Sequence, residues 1–284
     1  MNPTLAPDLI TDLRELLAFP FMVHALEAGT IVAVLAATAG WFVVLRRQAF
    51  AGHTLSVMAF PGASGAALIG APVALGYYVL CAAAALALAL PGAASARGGR
   101  RRGGETAVTG TVQTVGLAAG FLFLSLDASL LGAPDALLFG TFLGITQGQV
   151  LGLLAVALGA LAMLAAIGRP LLFASVDRDG ARAGGVPVTA LDIAFLLLLA
   201  VAIAATSQIT GALLSFALLI APPAAAQRLT RSPGRGLLLS VGLGVLTVWL
   251  ALALAYFSVY PVGFYVTTIA IAVYGVARLV GRGR

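Results

Sequence analysis

The chain reads as an all-α polytopic membrane protein of nine transmembrane helices, a count that drops to eight if one weak segment is re-entrant. Three observations predict this. Of the 284 residues 61% are hydrophobic and only 9% charged, against about 25% charged in an ordinary soluble domain. The 16 basic residues are all arginine, and all but Arg14 fall in five short clusters: Arg46 and Arg47; Arg97 with Arg100, Arg101 and Arg102; Arg169, Arg178 and Arg182; Arg228, Arg231 and Arg235; Arg278, Arg282 and Arg284. Between successive clusters lies enough apolar sequence for two helices of about 20 residues, the length that crosses a bilayer core. Short arginine-rich loops stay on the cytoplasmic side, so each interval holds an even number of crossings. The N-terminus is then outside and the C-terminus cytoplasmic, in a multi-pass protein of the cell (inner or plasma) membrane.

In chain order, residues 1–20 form a polar lead carrying Asp8, Asp12, Arg14 and Glu15, where a cleavable signal needs a basic end and an apolar core. The first membrane helix is therefore expected to be its own insertion signal. Residues 21–284 form a single transmembrane domain. Its first helix covers 21–45, and the second and third cover 54–70 and 72–90 around a turn at Gly70, Ala71 and Pro72. Tyr77 and Tyr78 suit the outer interface. The glycine-rich, basic loop 92–105 reads as a cytoplasmic linker drawn to anionic lipid rather than to nucleic acid. Helix four covers 107–126, with Gly116 and Gly120 spaced for close packing. The stretch 127–149, with Asp127 and Asp135, forms a short helix or re-entrant piece at the outer mouth.

Helix five covers 150–167. The segment 169–188 that follows carries Ser175, Asp177, Arg178, Asp179 and Arg182 and suits a short cytoplasmic surface helix hinged at Gly184, Gly185 and Pro187; any amphipathic interfacial loop has the same pattern. Helices six and seven, 190–206 and 210–226, are parted by Ser207 and Gln208, with Asp192 as a cap on the first. Pro222 and Pro223 in helix seven, like Pro61 in helix two, remove backbone donors and kink or end the ladder. Helices eight and nine cover 236–259 and 262–280.

Enzymatic readings fall away. Without a lysine there is neither a phosphate-loop lysine nor a Schiff base, and the chain is no P-loop ATPase. HExxH, CxxC and GxSxG are absent, and the single Cys81 forms no internal disulfide and reads as a small core residue. What remains is transport by small-residue helices whose energy comes from a partner.

Few residues are candidates for contact with cargo. His53 opens helix two: imidazole binds zinc and other borderline metals, although a histidine there also caps or packs at the interface. Ser56 and Met58 follow within two turns, Met58 with an ordinary core reading. His24 and Glu27 share a face near the outer end of helix one. They either hold an entering cation or are hydrated, and without further acidic partners hydration is the better account.

Four stretches, in order, resemble the permease subunit of the zinc and manganese ABC import family: VLRRQAFAGHTLSVMAFPGASGA at 44–66, LLFGTFLG at 137–144, FASVDRDGARAGGVPVTALD at 173–192 and TGALLSFALLIAPPAAAQRL at 210–229. The resemblance implies a type II ABC importer-like permease that works as a homodimer or a pair of related permeases. Cytoplasmic ABC ATPase subunits would supply ATP hydrolysis, and an extracytoplasmic metal-binding protein would deliver zinc or manganese. No cofactor is expected on this chain. The resemblance also makes 169–188 the coupling segment, with Ser175, Asp177, Arg178, Asp179, Arg182, Gly185 and Val186 meeting the ATPase. The family's second helix carries two ligand-type residues four apart; here His53 keeps the first and Val57 replaces the second, so cargo would be held by His53 with its symmetry mate or pass without a tight site. Imidazole without a carboxylate leans toward zinc. The rival readings are a permease for manganese, iron chelates or cobalamin, a secondary transporter, and a membrane protein with no conduit.

Overall fold

A bilayer offers the backbone no water, so each crossing segment must satisfy its own hydrogen bonds as a helix. The computed structural model describes residues 19–95, 102–126, 134–140, 142, 144–258 and 260–281, and every regular element in them is helical. The elements are α1 (Pro20–Leu45), α2 (Ala49–Leu68), α3 (Val73–Ser95), α4 (Arg102–Leu126), α5 (Pro134–Phe139), α6 (Gln147–Val176), α7 (Arg178–Ala183), α8 (Val188–Leu229), α9 (Pro233–Tyr256) and α10 (Val262–Val280). The polar lead up to residue 18, residues 96–101 of the 92–105 linker, Asp127, Arg282 and Arg284 lie outside the described residues.

Among the described residues, six segments are long and apolar enough to cross a membrane: Pro20–Leu45, Thr109–Leu126, Gln147–Val176, Val188–Ala212, Pro233–Tyr256 and Val262–Val280. Two of these form the interior. Pro20–Leu45 and Val188–Ala212 bury 72% and 61% of their most apolar windows, against 22–33% for the other four. Lipid is as apolar as leucine, so such helices associate by close packing rather than by the hydrophobic effect. The composition follows: α1 buries Ala25, Ala28, Ala33, Ala36, Ala37 and Ala39, and α8 packs on α1, α2, α3, α5, α6, α7, α9 and α10.

The long α8 is a hairpin of two helices. A straight helix of 42 residues would run about 63 Å, yet both its ends meet the same end of α1. Asp192 pairs with Arg46, and the Gln227 side chain donates to the Trp41 carbonyl at 2.8 Å. The reversal is at Gly211, whose φ of 78° and ψ of 163° are non-helical. Gly140, at φ 74°, packs its backbone directly on Ile209 to Gly211, so a Cβ on either glycine would strike backbone. The sequence placed this break at Ser207 and Gln208. Both stay helical, and Ser207 Oγ instead donates to Ser215 Oγ at 3.2 Å, tying the two arms together. The helical backbone runs on through Pro61, Pro222 and Pro223.

Other boundaries also move. α2 starts at Ala49, five residues before the expected 54, because the chain turns tightly at Arg46–Gln48 with Arg47 at φ 56° and Gln48 O already accepts from Gly52 N. His53 thus sits inside the helix. α6 runs past the expected 167 to Val176, since Leu171 and Ala174 stay buried beyond Pro170.

Candidate functional site

His53 lies four residues into α2, about 6 Å along the helix. Its ring packs edge-on against Phe216 of the second arm of α8, with centroids 4.9 Å apart. On its other side Gln113 of α4 brings Nε2 to 3.4 Å from His53 Nε2. Thr54 Oγ1 lies 3.4 Å from Gln113 Oε1 and 3.1 Å from the Phe50 carbonyl. Three elements therefore converge on one imidazole.

Three buried side-chain atoms have no hydrogen-bond partner among the described residues: Trp41 Nε1, His53 Nδ1 and Ser56 Oγ. Two of the three sit three residues apart on α2, hence on one helix face. Buried polar atoms are ordinarily satisfied, so such a pair calls for a ligand-side explanation. Chemically the patch offers an imidazole nitrogen, a hydroxyl and an amide, a mixed nitrogen and oxygen set. No group of three or more His, Cys, Asp or Glu comes together among the described residues.

The remaining predicted residues lie elsewhere. Met58 is buried, and its sulfur fills the space over Gly116, a packing role. Val57 is buried in the core at 3% exposure and offers no ligand. His24 and Glu27 sit near the start of α1, about 30 Å of helix from its arginine end. His24 Nδ1 lies 3.2 Å from the Ile145 carbonyl, while Glu27 is exposed and lines an apolar groove with Thr30, Leu151, Leu154 and Trp249. The pair does not join His53.

At the arginine-rich end a second polar cluster forms. Arg46, only 5% exposed in its side chain, pairs with Asp192, donates to Ser175 Oγ at 3.2 Å and to Gln48 Oε1 at 3.3 Å, and stacks 5.2 Å from the Phe195 ring centre. Arg178 pairs with the other Asp192 oxygen. Asp192 was expected to cap its helix; instead it is the fifth residue of α8, whose N-cap is Pro187, and it clamps two guanidinium groups. Asp177 caps α7 by accepting from Gly180 N at 2.9 Å. Asp179 and Arg182 face solvent, 3.8 Å apart. Gly185 turns the chain at φ 79°, and Val186 N closes the turn on Ala181 O at 3.0 Å.

Sequence reasoning missed Gln113, Thr54 and Phe216. The available signal was an amide in the apolar run of α4, because glutamine in such a helix seeks a partner across the helix interface.

A helical bundle with six segments long and apolar enough to cross a membrane, and polar side chains turned inward at two levels, is a multi-pass membrane protein. The model of the ABC 3 transport family matches residues 18–281. The chain belongs to that family and lies in the cell membrane. It is 31% identical over 237 residues to the chelated iron transport system membrane protein YfeC of Yersinia pestis, covering 82% of this chain and 78% of that one. It is 30% identical over 248 residues to the manganese transport system membrane protein MntC of Halalkalibacterium halodurans, covering 86% and 81%. Its fold matches PsaBC from Streptococcus pneumoniae with a TM-score of 0.82 at 23% identity, covering 95% of each chain.

Proposed function

We propose that the chain is the permease subunit of an ABC importer that takes up a first-row divalent transition metal. The observation that carries the cargo class is the naming of relatives near 30% identity for manganese and chelated iron transport. The orphaned His53 Nδ1 and Ser56 Oγ give that cargo a place to touch. The chain would cross the membrane nine times, N-terminus outside and C-terminus cytoplasmic, with 169–188 as the coupling segment of a single transmembrane domain. ATP would be used by separate cytoplasmic ATPase subunits, a metal-binding protein would deliver cargo from outside, and two copies would face each other so that two His53 side chains serve one path. Asp177, Arg178, Asp179 and Arg182 are all exposed. Asp179 and Arg182, which among the described residues pair only with each other, are the side chains offered first to an ATPase, whereas Arg178 also pairs with Asp192 and Asp177 caps α7.

Among metals, manganese and iron come first, since those two relatives are named for manganese and chelated iron transport, and the mixed nitrogen and oxygen set suits both. Zinc is the second reading, favoured by the imidazole itself. Accumulation of manganese, ferrous iron, zinc and an iron chelate, each supplied in turn to proteoliposomes holding the permease, its ATPase and its binding protein, tests the reading. ATP-dependent uptake of manganese or iron is expected; uptake of an intact chelate alone, or of none, would overturn it.

A further inference from the structure

We propose that Gln113 is the positioning residue for cargo: its amide oxygen takes the Nε2 proton of His53, which leaves Nδ1 as a bare lone pair that binds the metal. The inference rests on the proposed metal-permease reading and adds the atom that would bind and the residue that sets it.

The argument is one of hydrogen count. A hydroxyl has one proton to give, and Thr54 Oγ1 gives its own to the Phe50 carbonyl at 3.1 Å, the closed one-turn bond of a helical threonine. The other acceptor within reach of that proton is the Gln113 group 3.4 Å away; with the shorter bond to Phe50 made, the hydroxyl offers Gln113 its lone pairs, which suit the donating NH₂. Amide oxygen and nitrogen are exchanged by a half-turn and are assigned from the network around them. With NH₂ toward Thr54, the carbonyl oxygen of Gln113 points at His53 Nε2, in the 3.4 Å contact. A carbonyl only accepts, so Nε2 carries the proton and Nδ1 does not. The opposite amide orientation would put the ring proton on Nδ1, a buried donor with no acceptor, and a buried donor left unmade is the costlier fault. The favoured arrangement gives the ring N–H an acceptor and leaves Nδ1 as an open acceptor, the nitrogen a metal needs. Metal-binding imidazoles are commonly held this way, the second ring nitrogen donating to an oxygen that fixes tautomer and orientation.

The chain supplies an internal contrast. His24 Nδ1 faces the Ile145 carbonyl at 3.2 Å, so His24 carries its proton on Nδ1. The only two histidines are thus opposite tautomers.

The test is long-range proton–nitrogen NMR on the full permease in nanodiscs, labelled with ¹⁵N-histidine, in mildly alkaline buffer. His24→Asn identifies the His53 signals. The expected result is the Nε2–H pattern for His53 and the Nδ1–H pattern for His24. Gln113→Leu should abolish the His53 preference, and Gln113→Glu, whose carboxylate only accepts, should keep it. In the assembled transporter Gln113→Leu should raise KM for metal roughly tenfold with kcat little changed, and Gln113→Glu should restore it. An Nδ1–H pattern at His53, or a tautomer unmoved by Gln113→Leu, overturns the proposal. Because the NMR pattern is read without transport, a wild-type uptake rate in His53→Ala would sink the metal-contact reading separately from the tautomer.

Discussion

Two polar clusters lie within a few residues of each other on the chain and have opposite characters. Around Asp192 every charge is answered: Arg46 and Arg178 take its two oxygens, and Ser175, Gln48 and Phe195 complete the shell of Arg46. Around His53 polar atoms are left over, with Nδ1 and Ser56 Oγ buried and unpartnered. Desolvated charge must be paired to be tolerated, so the first cluster holds the ends of α1, α6 and α8 in register. A site that receives and releases cargo must leave valence open, and a closed hydrogen-bond shell would compete with it.

The contrast predicts opposite responses to truncation. Asp192→Ala leaves a buried guanidinium without its partner and should cost roughly 3–5 kcal/mol, read as a large fall in thermal midpoint in detergent. The Arg46→Met, Asp192→Leu pair should recover most of that loss; no recovery would mean that the cluster does more than neutralise itself. Ser56→Ala removes an orphaned hydroxyl, so stability should hold or rise by about 1 kcal/mol while metal KM rises. A destabilised Ser56→Ala variant would show that the hydroxyl has a structural partner. Arg182→Ala, at an exposed ion pair, should change stability by less than about 0.5 kcal/mol, yet charge reversal of Asp179 and Arg182 together should weaken co-purification with the ATPase.

Much of this was legible in the chain. Arginine clusters and apolar lengths located the starts of the long helices to within about five residues, because the bilayer length and loop charge act on each segment separately. Gly211 was not legible as the hairpin turn, since its left-handed φ answers to the backbone of Gly140, 71 positions earlier. Asp192 was misread as a cap because a local rule accounted for it; only the fold brings Arg46 within reach. His53 was found from its residue type, while Gln113 lies 60 positions away and acquires its meaning from the packing of α4 on α2.

The decisive measurement is ATP-driven metal uptake by the complete transporter carrying His53→Ala, beside wild type at matched assembly. A loss of tenfold or more, with the ATPase still bound and the thermal midpoint little changed, is the predicted result. Wild-type uptake in that variant would contradict the assignment and return His53 to a packing role.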